Sequence, residues 1–297
     1  MKLSRQAANL TLFVVTAMWG STYLFNKLVV QAGMQPATIN AVRGLMCLLT
    51  GLIVFHRQLS HMTKADLRIG LIVGVVNFAG FFLRTAGLQT TTPAKSAFLT
   101  VTYVVFTPFV LWLFWHERPQ WRVWIAVPLS LLGMAILTGV TNANFAFLTG
   151  DWLTLLSAIC WAFQIIIFAK YASHASSPWV IITLIGFVQI ILGTPMALLF
   201  ERSSFPHVHW LAALWPLAIV AIVITFIARS IQLVAQRYTD PTTASLILMT
   251  ESFFAAVFSI LFGFEKLTPA LAIGGALILL ANVILQVNNK QTLRKQQ

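Results

Sequence analysis

DPTTASLILMTESFFAAVFSILFGFEK, residues 240–266, repeats the plan of TPAKSAFLTVTYVVFTPFVLWLFWHER, residues 92–118, at a constant offset of 148. Each stretch opens on a polar residue and proline, Thr92-Pro93 or Asp240-Pro241, and closes on an acid followed by a base, Glu117-Arg118 or Glu265-Lys266. What lies between is almost wholly apolar and about as long as a helix must be to cross the hydrocarbon core of a bilayer. The register continues to Ile136-Leu137 over Ile284-Leu285. Nearer the start, Trp19 and Pro36 align with Trp161 and Pro178 at an offset of 142. The chain therefore reads as two copies of one membrane-spanning unit.

Working outward, apolar windows bounded by Pro, Gly, Asn or charge fall at 9–30, 37–56, 67–88, 93–115, 119–139, 150–171, 178–200, 210–233, 241–263 and 267–288. Ten spans of about 20 residues each use up most of the 297 residues, so any function must be housed inside the membrane part. Composition agrees, with 59% hydrophobic residues, 9% charged and a mean hydropathy of +0.85. A soluble domain carries about 25% charged residues, and disorder needs low hydrophobicity. A soluble enzyme and a disordered chain are both excluded.

The net charge of +12 is expected to orient the chain in the bilayer, not to bind nucleic acid, since no soluble basic surface is available to carry such a footprint. With the N-terminus inside, Lys27, Arg43, Arg84, Lys95, Arg202 and Lys266 fall on the outer side, and the rest of the 19 Lys and Arg residues fall inside. Basic residues accumulate on the cytoplasmic side, so both termini are expected there. Five spans per repeat is an odd number, so the second repeat enters the membrane upside down. Inverted repeats with the substrate held between the halves mark secondary transporters. The expected fold is an all-α integral membrane protein of ten transmembrane helices, with repeats at 9–139 and 150–288 and a cytoplasmic tail at 289–297.

Three stretches carry a family resemblance: WGSTYLFNK (19–27), GLQTTTPAKSAFLTVTYVVFTPF (87–109) and QLVAQRYTDPTTASLILMTESFFAAVFSILFGFEKLTPALAIGGALIL (232–279). In this order and spacing the chain resembles the EamA-domain transporters of the drug/metabolite transporter superfamily, in their ten-helix bacterial form. The resemblance implies export or exchange of small metabolites, often amino acids, across a bacterial inner membrane, with no ATP-binding domain. The sequence has no Walker-type Gly-Lys-Ser/Thr loop, so an ion or solute gradient must drive transport. One departure concerns Arg84, which stands where the family pattern often has Gln; its repeat partner is Gln232. A cation here bears on which substrate charge is accepted, leaving uptake or exchange of an anionic metabolite as the alternative.

Within the spans the ionisable residues are few and informative. Glu251 is the one acid expected near mid-membrane, where a charge costs roughly 3 kcal/mol. It is a candidate for binding a cationic moiety or carrying a coupling proton, and its repeat counterpart is Tyr103. Lys27, Arg43, Arg84 and Lys95 map to the outer ends of the first four spans. They are expected either to form a positive vestibule for acids or to snorkel separately to the headgroups, with Arg84 and Lys95 the pair expected to share a site. Residues three, four or seven apart share one face of a helix. This groups Trp19, Tyr23 and Asn26; Asn77, Phe81 and Arg84; Trp161 and Gln164; and Thr225, Arg229, Gln232 and Gln236 as cavity faces. The substrate-binding set is thus Trp19, Tyr23, Asn77, Arg84, Lys95, Tyr103, Trp161, Gln164, Gln232 and Glu251.

Glu117 and Glu265 read as structural groups holding turns. Cys47 and Cys160 read as buried thiols, and the six histidines lack metal-ligand spacing, so neither cofactor nor metal is expected. An integral-membrane lipid enzyme would need an activated nucleophile or an acid–base pair. Glu251 has no His beside it. The expected partners are a small-molecule substrate and the lipid bilayer.

Overall fold

The computed structural model of the chain describes residues 4–116, 118–119, 121–138, 148–171, 176–235, 238, 247–248 and 250–286, and these contain helix and turn but no strand. Among the described residues seven helices are long and apolar enough to cross a membrane. Three shorter apolar ones lie at Val123–Gly133, Glu251–Leu261 and Pro269–Ala281.

The helix starts follow from local chemistry. Ser4 caps α1 (Arg5–Gln31), its Oγ accepting from the Ala7 amide at 3.2 Å. Proline opens α2 (Pro36–Val54), α5 (Pro93–Val101) and α9 (Pro178–Met196), at the position where its missing N–H has no intrahelical partner to lose. After the short α3 (His56–Ser60), Thr63 and Asp66 form a reciprocal capping box at the start of α4 (Lys64–Gly87). The buried Asp66 carboxylate also accepts from Ser176, at 2.7 Å from its amide and 2.6 Å from its hydroxyl. That ties the approach to α9 onto the start of α4.

Four predicted spans are not uniform α-helices, the seventh among them because α9 passes into a π-helix over Ala197–Glu201. The span expected at 93–115 is split into α5 and α6 (Tyr103–Trp115) at Thr102. The ninth is interrupted at Thr250, immediately before α12 (Glu251–Leu261). At both breaks the threonine hydroxyl bonds back to a carbonyl three residues earlier, Thr102 to Leu99 and Thr250 to Ile247, each at 2.6 Å. Such side-chain bonding competes with the helical ladder. It places the interruptions one residue before Tyr103 and Glu251. Residues 241–246, from which the depth of Glu251 was to be counted, lie outside the described residues, as do Glu117, Gln236, Asp240 and the 289–297 tail. The eighth span runs as α10 (Trp210–Ala218), a π-helix over Ile219–Ala228 and α11 (Arg229–Ala235). The uniform 3.6-residue period behind the Thr225–Gln236 stripe therefore does not hold across it. The remaining helices are α7 (Val123–Thr138), α8 (Thr149–Tyr171) and α13 (Pro269–Gln286).

Packing has internal symmetry. Counterparts in the two repeats meet each other: α2 along α9, α7 along α13 and α5 along α12. The contact of α4 with α8 is matched by that of α1 with α10, the π-helix and α11. The α2–α9 seam is close because glycines face it from both sides. A Cβ on Gly44 would lie 2.7 Å from the Gly186 carbonyl oxygen and from Gln189 Cβ, so backbone meets backbone there. The outward surface is apolar, with Ile53, Leu113, Phe200 and Leu211 exposed, as lipid contact requires.

Candidate functional site

Charged and amide groups gather where α1, α2, α4, α8, α11 and α12 converge. Phe81, one turn before Arg84 on α4, organises the group. The Arg43 guanidinium lies 3.4 Å from its ring centroid and the Arg84 guanidinium 4.6 Å. Arg84 also stands 4.8 Å from the Tyr23 ring and 5.4 Å from that of Trp161. Phe81 and Trp161 meet edge to face at 4.8 Å. On α11, Arg229 lies over Trp19 at 5.3 Å. Desolvated cation–π contacts contribute up to about 2 kcal/mol each, offsetting part of the cost of holding guanidiniums away from water.

Arg43 is 0% exposed, Arg84 5% and Glu251 8%. The Glu251 carboxylate has Arg84, Tyr23 and Arg229 as electrostatic neighbours, and Arg43 in turn has Arg84 and Arg229. Among the described residues Glu251 closes no direct ion pair with any of the three; the ion pair found there is Lys95 with Asp151. Its repeat counterpart Tyr103 is half-buried and faces both Glu251 and Tyr23.

Arg43 Nη2 donates to Asn40 Oδ1 at 2.7 Å. Arg43 Nε, Arg84 Nε and Nη2, the Tyr23 hydroxyl and Trp161 Nε1 make no hydrogen bond of normal geometry, nor does the Asn26 amide. Alongside, Asn77 Nδ2 donates to Gln164 Oε1 at 2.7 Å, and Gln189 Nε2 donates to Asn77 Oδ1 at 2.8 Å. The arrangement is a buried aromatic box whose polar lining consists largely of unused donors.

Of the residues expected from sequence, Trp19, Tyr23, Asn77, Arg84, Tyr103, Trp161, Gln164 and Glu251 come together here. Gln232 is half-buried on α11 and makes no hydrogen bond to the cluster among the described residues. The expected vestibule of four outer cations is not formed. Lys27 donates to the carbonyls of Leu88 and Thr91, Lys95 is held by Asp151, and Arg84 and Lys95 do not share a site. Arg43 does not snorkel; with Phe81 against it and Asn40 one turn back, it is enclosed. Arg229, read from sequence both as an inner-end charge and as part of the Thr225–Gln236 cavity face, lies over Trp19 and near Glu251, on the cavity side. Gln189 was missed altogether. The Asn40–Arg43 spacing, one helical turn, was a usable sign that this arginine has an internal partner.

The cluster is capped at the C-terminal end of α1 by a polar seal. Asp151 Oδ2 takes the Lys95 ammonium at 2.6 Å, and Oδ1 accepts from Thr91 Oγ1 at 2.8 Å. Glu265 accepts from Thr92 Oγ1 and, at 2.8 Å, from Ser259 Oγ, which fits the turn-holding role read for it. A cavity of about 200 Å³ lined by Lys95, Glu265, Lys266, Thr268 and Leu271 adjoins this seal. Another of about 160 Å³, lined by Thr11, Trp179, Ser230, Ile231 and Val234, lies toward the other end of α1. Asp151→Asn is expected to loosen the seal by about 1 kcal/mol, the net worth of one such bond. A cysteine at the buried Leu88 should then react roughly fivefold faster with a membrane-impermeant maleimide than in the Asp151 background. Equal rates would mean that the pair does not hold this end shut.

Cys47 and Cys160 are free thiols. Among the described residues no three His, Cys, Asp or Glu side chains are grouped to hold a metal.

Comparison with known proteins gives a consistent answer. The profile of the EamA-like transporter family matches residues 6–139 and again 148–286. An uncharacterized transporter of Archaeoglobus fulgidus is 32% identical over 285 residues, covering 96% of this chain and 87% of the relative. A protein of known crystal structure aligns over 97% of this chain and 99% of its own with a TM-score of 0.63. At 18% identity that likeness speaks for the fold alone.

Proposed function

The chain belongs to the EamA-like transporter family, and from that premise we propose that it moves small carboxylate-bearing metabolites, amino acids or related solutes, across the bacterial inner membrane by alternating access. Membership of a transporter family gives the chain a non-enzymatic role. In this reading two inverted five-helix repeats, with both termini cytoplasmic, rock about the arginine cluster, and export is the favoured direction.

One observation carries the reading. Arg84, from the first repeat, and Glu251, from the second, lie about one aromatic box as neighbours without pairing directly. Opposite charges held apart in a buried, donor-rich space leave the guanidinium free to receive a substrate carboxylate. The breaks at Thr102 and Thr250 support it, because interrupted helices at the repeat interface are where transporters of this design hold their solutes. The seal around Lys95 and Asp151 then serves as the outer gate.

The test is efflux from proteoliposomes loaded with a mixture of amino acids and other small carboxylates, followed by mass spectrometry. Selective, saturable loss of at least one of them is expected. A profile identical to that of protein-free vesicles would overturn the reading.

A further inference from the structure

We propose that the cluster selects a small dianion, a dicarboxylate or a phosphate monoester, over a neutral amino acid. This rests on the transport reading above and narrows its substrate class.

The charge balance points this way. Arg84 and Arg229 face one carboxylate, Glu251, and Arg43 neighbours both of these arginines. Arginine stays protonated in proteins, so the group carries an excess of two formal positive charges. Two of the three guanidiniums rest against the same Phe81 ring, a juxtaposition of like charges that an anion relieves and a cation worsens. A zwitterion adds no net charge and leaves the excess untouched, whereas a dianion brings the group to neutrality with Glu251 still in place.

The hydrogen-bond inventory is independent of that count and agrees with it. Arg43 Nε, Arg84 Nε, Arg84 Nη2 and Trp161 Nε1 are donors only and make no hydrogen bond of normal geometry, while the Tyr23 hydroxyl is directed to Glu251. All four nitrogens are buried, and all belong to side chains around Phe81 and Arg84. Carboxylate and phosphate oxygens are the acceptors that planar guanidinium forks match. The amides nearby are partly engaged in the Asn77–Gln164–Gln189 chain, which leaves Gln189 Oε1 and Asn26 Oδ1 as unpartnered acceptors. Around the arginines themselves the unpartnered atoms are donors.

Two measurements on the purified full chain separate this from the transport reading. Thermal stabilisation in detergent is titrated with succinate, glycerol 3-phosphate, leucine and putrescine; flux of the same four solutes is measured in proteoliposomes. Succinate or glycerol 3-phosphate is expected to stabilise at concentrations at least tenfold below leucine, with putrescine inert, and the better of the two names the anionic group. Arg43→Gln and, separately, Arg229→Gln should each weaken the dianion at least tenfold and change leucine less than threefold. Stabilisation by leucine or putrescine equal to that by either dianion overturns the proposal, as does stabilisation by none of the four. Dianion binding without flux of any solute would instead overturn the transport reading and leave the dianion site standing.

Discussion

Glu251→Gln is expected to lower transport turnover at least tenfold while tightening the binding of an acidic solute. Glutamine keeps the volume of the side chain and its capacity for hydrogen bonds, so packing at the start of α12 is preserved. What disappears is a negative charge among Arg84 and Arg229. At an effective dielectric of about 20, removing a charge some 6–8 Å away changes the energy of a bound anion by about 2 kcal/mol. That corresponds to roughly thirtyfold in affinity. A solute held more tightly leaves more slowly, which is why turnover should fall as affinity rises. If the carboxylate also carries a coupling proton, the pH dependence of transport disappears in the same variant. Stopped-flow flux, solute titration and a pH series on one preparation check all three. Unchanged turnover, affinity and pH response together would reduce Glu251 to a packing group.

Arg84→Gln is expected to weaken acid binding by about a hundredfold or more. Truncating one partner of a buried charge pair costs 2–5 kcal/mol or more, and Arg84 supplies two of the unused donors, Nε and Nη2. Arg84→Lys should recover less than tenfold of the loss. A lysine ammonium is a compact point charge and cannot lie flat across Tyr23, Phe81 and Trp161 or offer a planar fork. Stability should move little, because the substitution removes a cation that repels Arg43 and Arg229. Titration of both variants against the wild type, with melting temperatures as control, decides the matter. Wild-type affinity for every acid in Arg84→Gln would remove this residue from the site.

Much of the framework was legible because it is written locally. Proline at the first position of a helix, the Thr63–Asp66 capping box and unbroken apolar runs depend on neighbours within a few residues. The starts of α2, α4, α5 and α9 could therefore be read to within about three residues. The interruptions at Thr102 and Thr250 were only half legible. The two threonines occupy equivalent repeat positions, but whether a hydroxyl bends back to a carbonyl or turns outward depends on what packs against it. Glu251 stood out as an acid at costly depth, Arg84 as a cation where the family pattern often has Gln, and Tyr23 and Trp161 by helical spacing. The π-helix over Ile219–Ala228 left no local mark, and with it went the uniform helical period assumed for the Thr225–Gln236 stripe.

The sequence by itself determined that this chain lives in a membrane, where several of its helices begin, that it contains two copies of one unit, and that one acid near mid-membrane and several cations lie within spans. Each of these follows from hydrophobic length, local capping and periodicity. Tertiary structure alone decided what the charges meet. Lys27 and Arg43 looked alike, as cations near the outer ends of neighbouring spans, yet one binds the carbonyls beyond α4 and the other is sealed against Phe81. Helical periodicity states which residues share a face but not which face meets which. That choice is made by contacts between segments far apart in the chain, such as the glycine seam that brings α2 onto α9 and draws Arg43 inside.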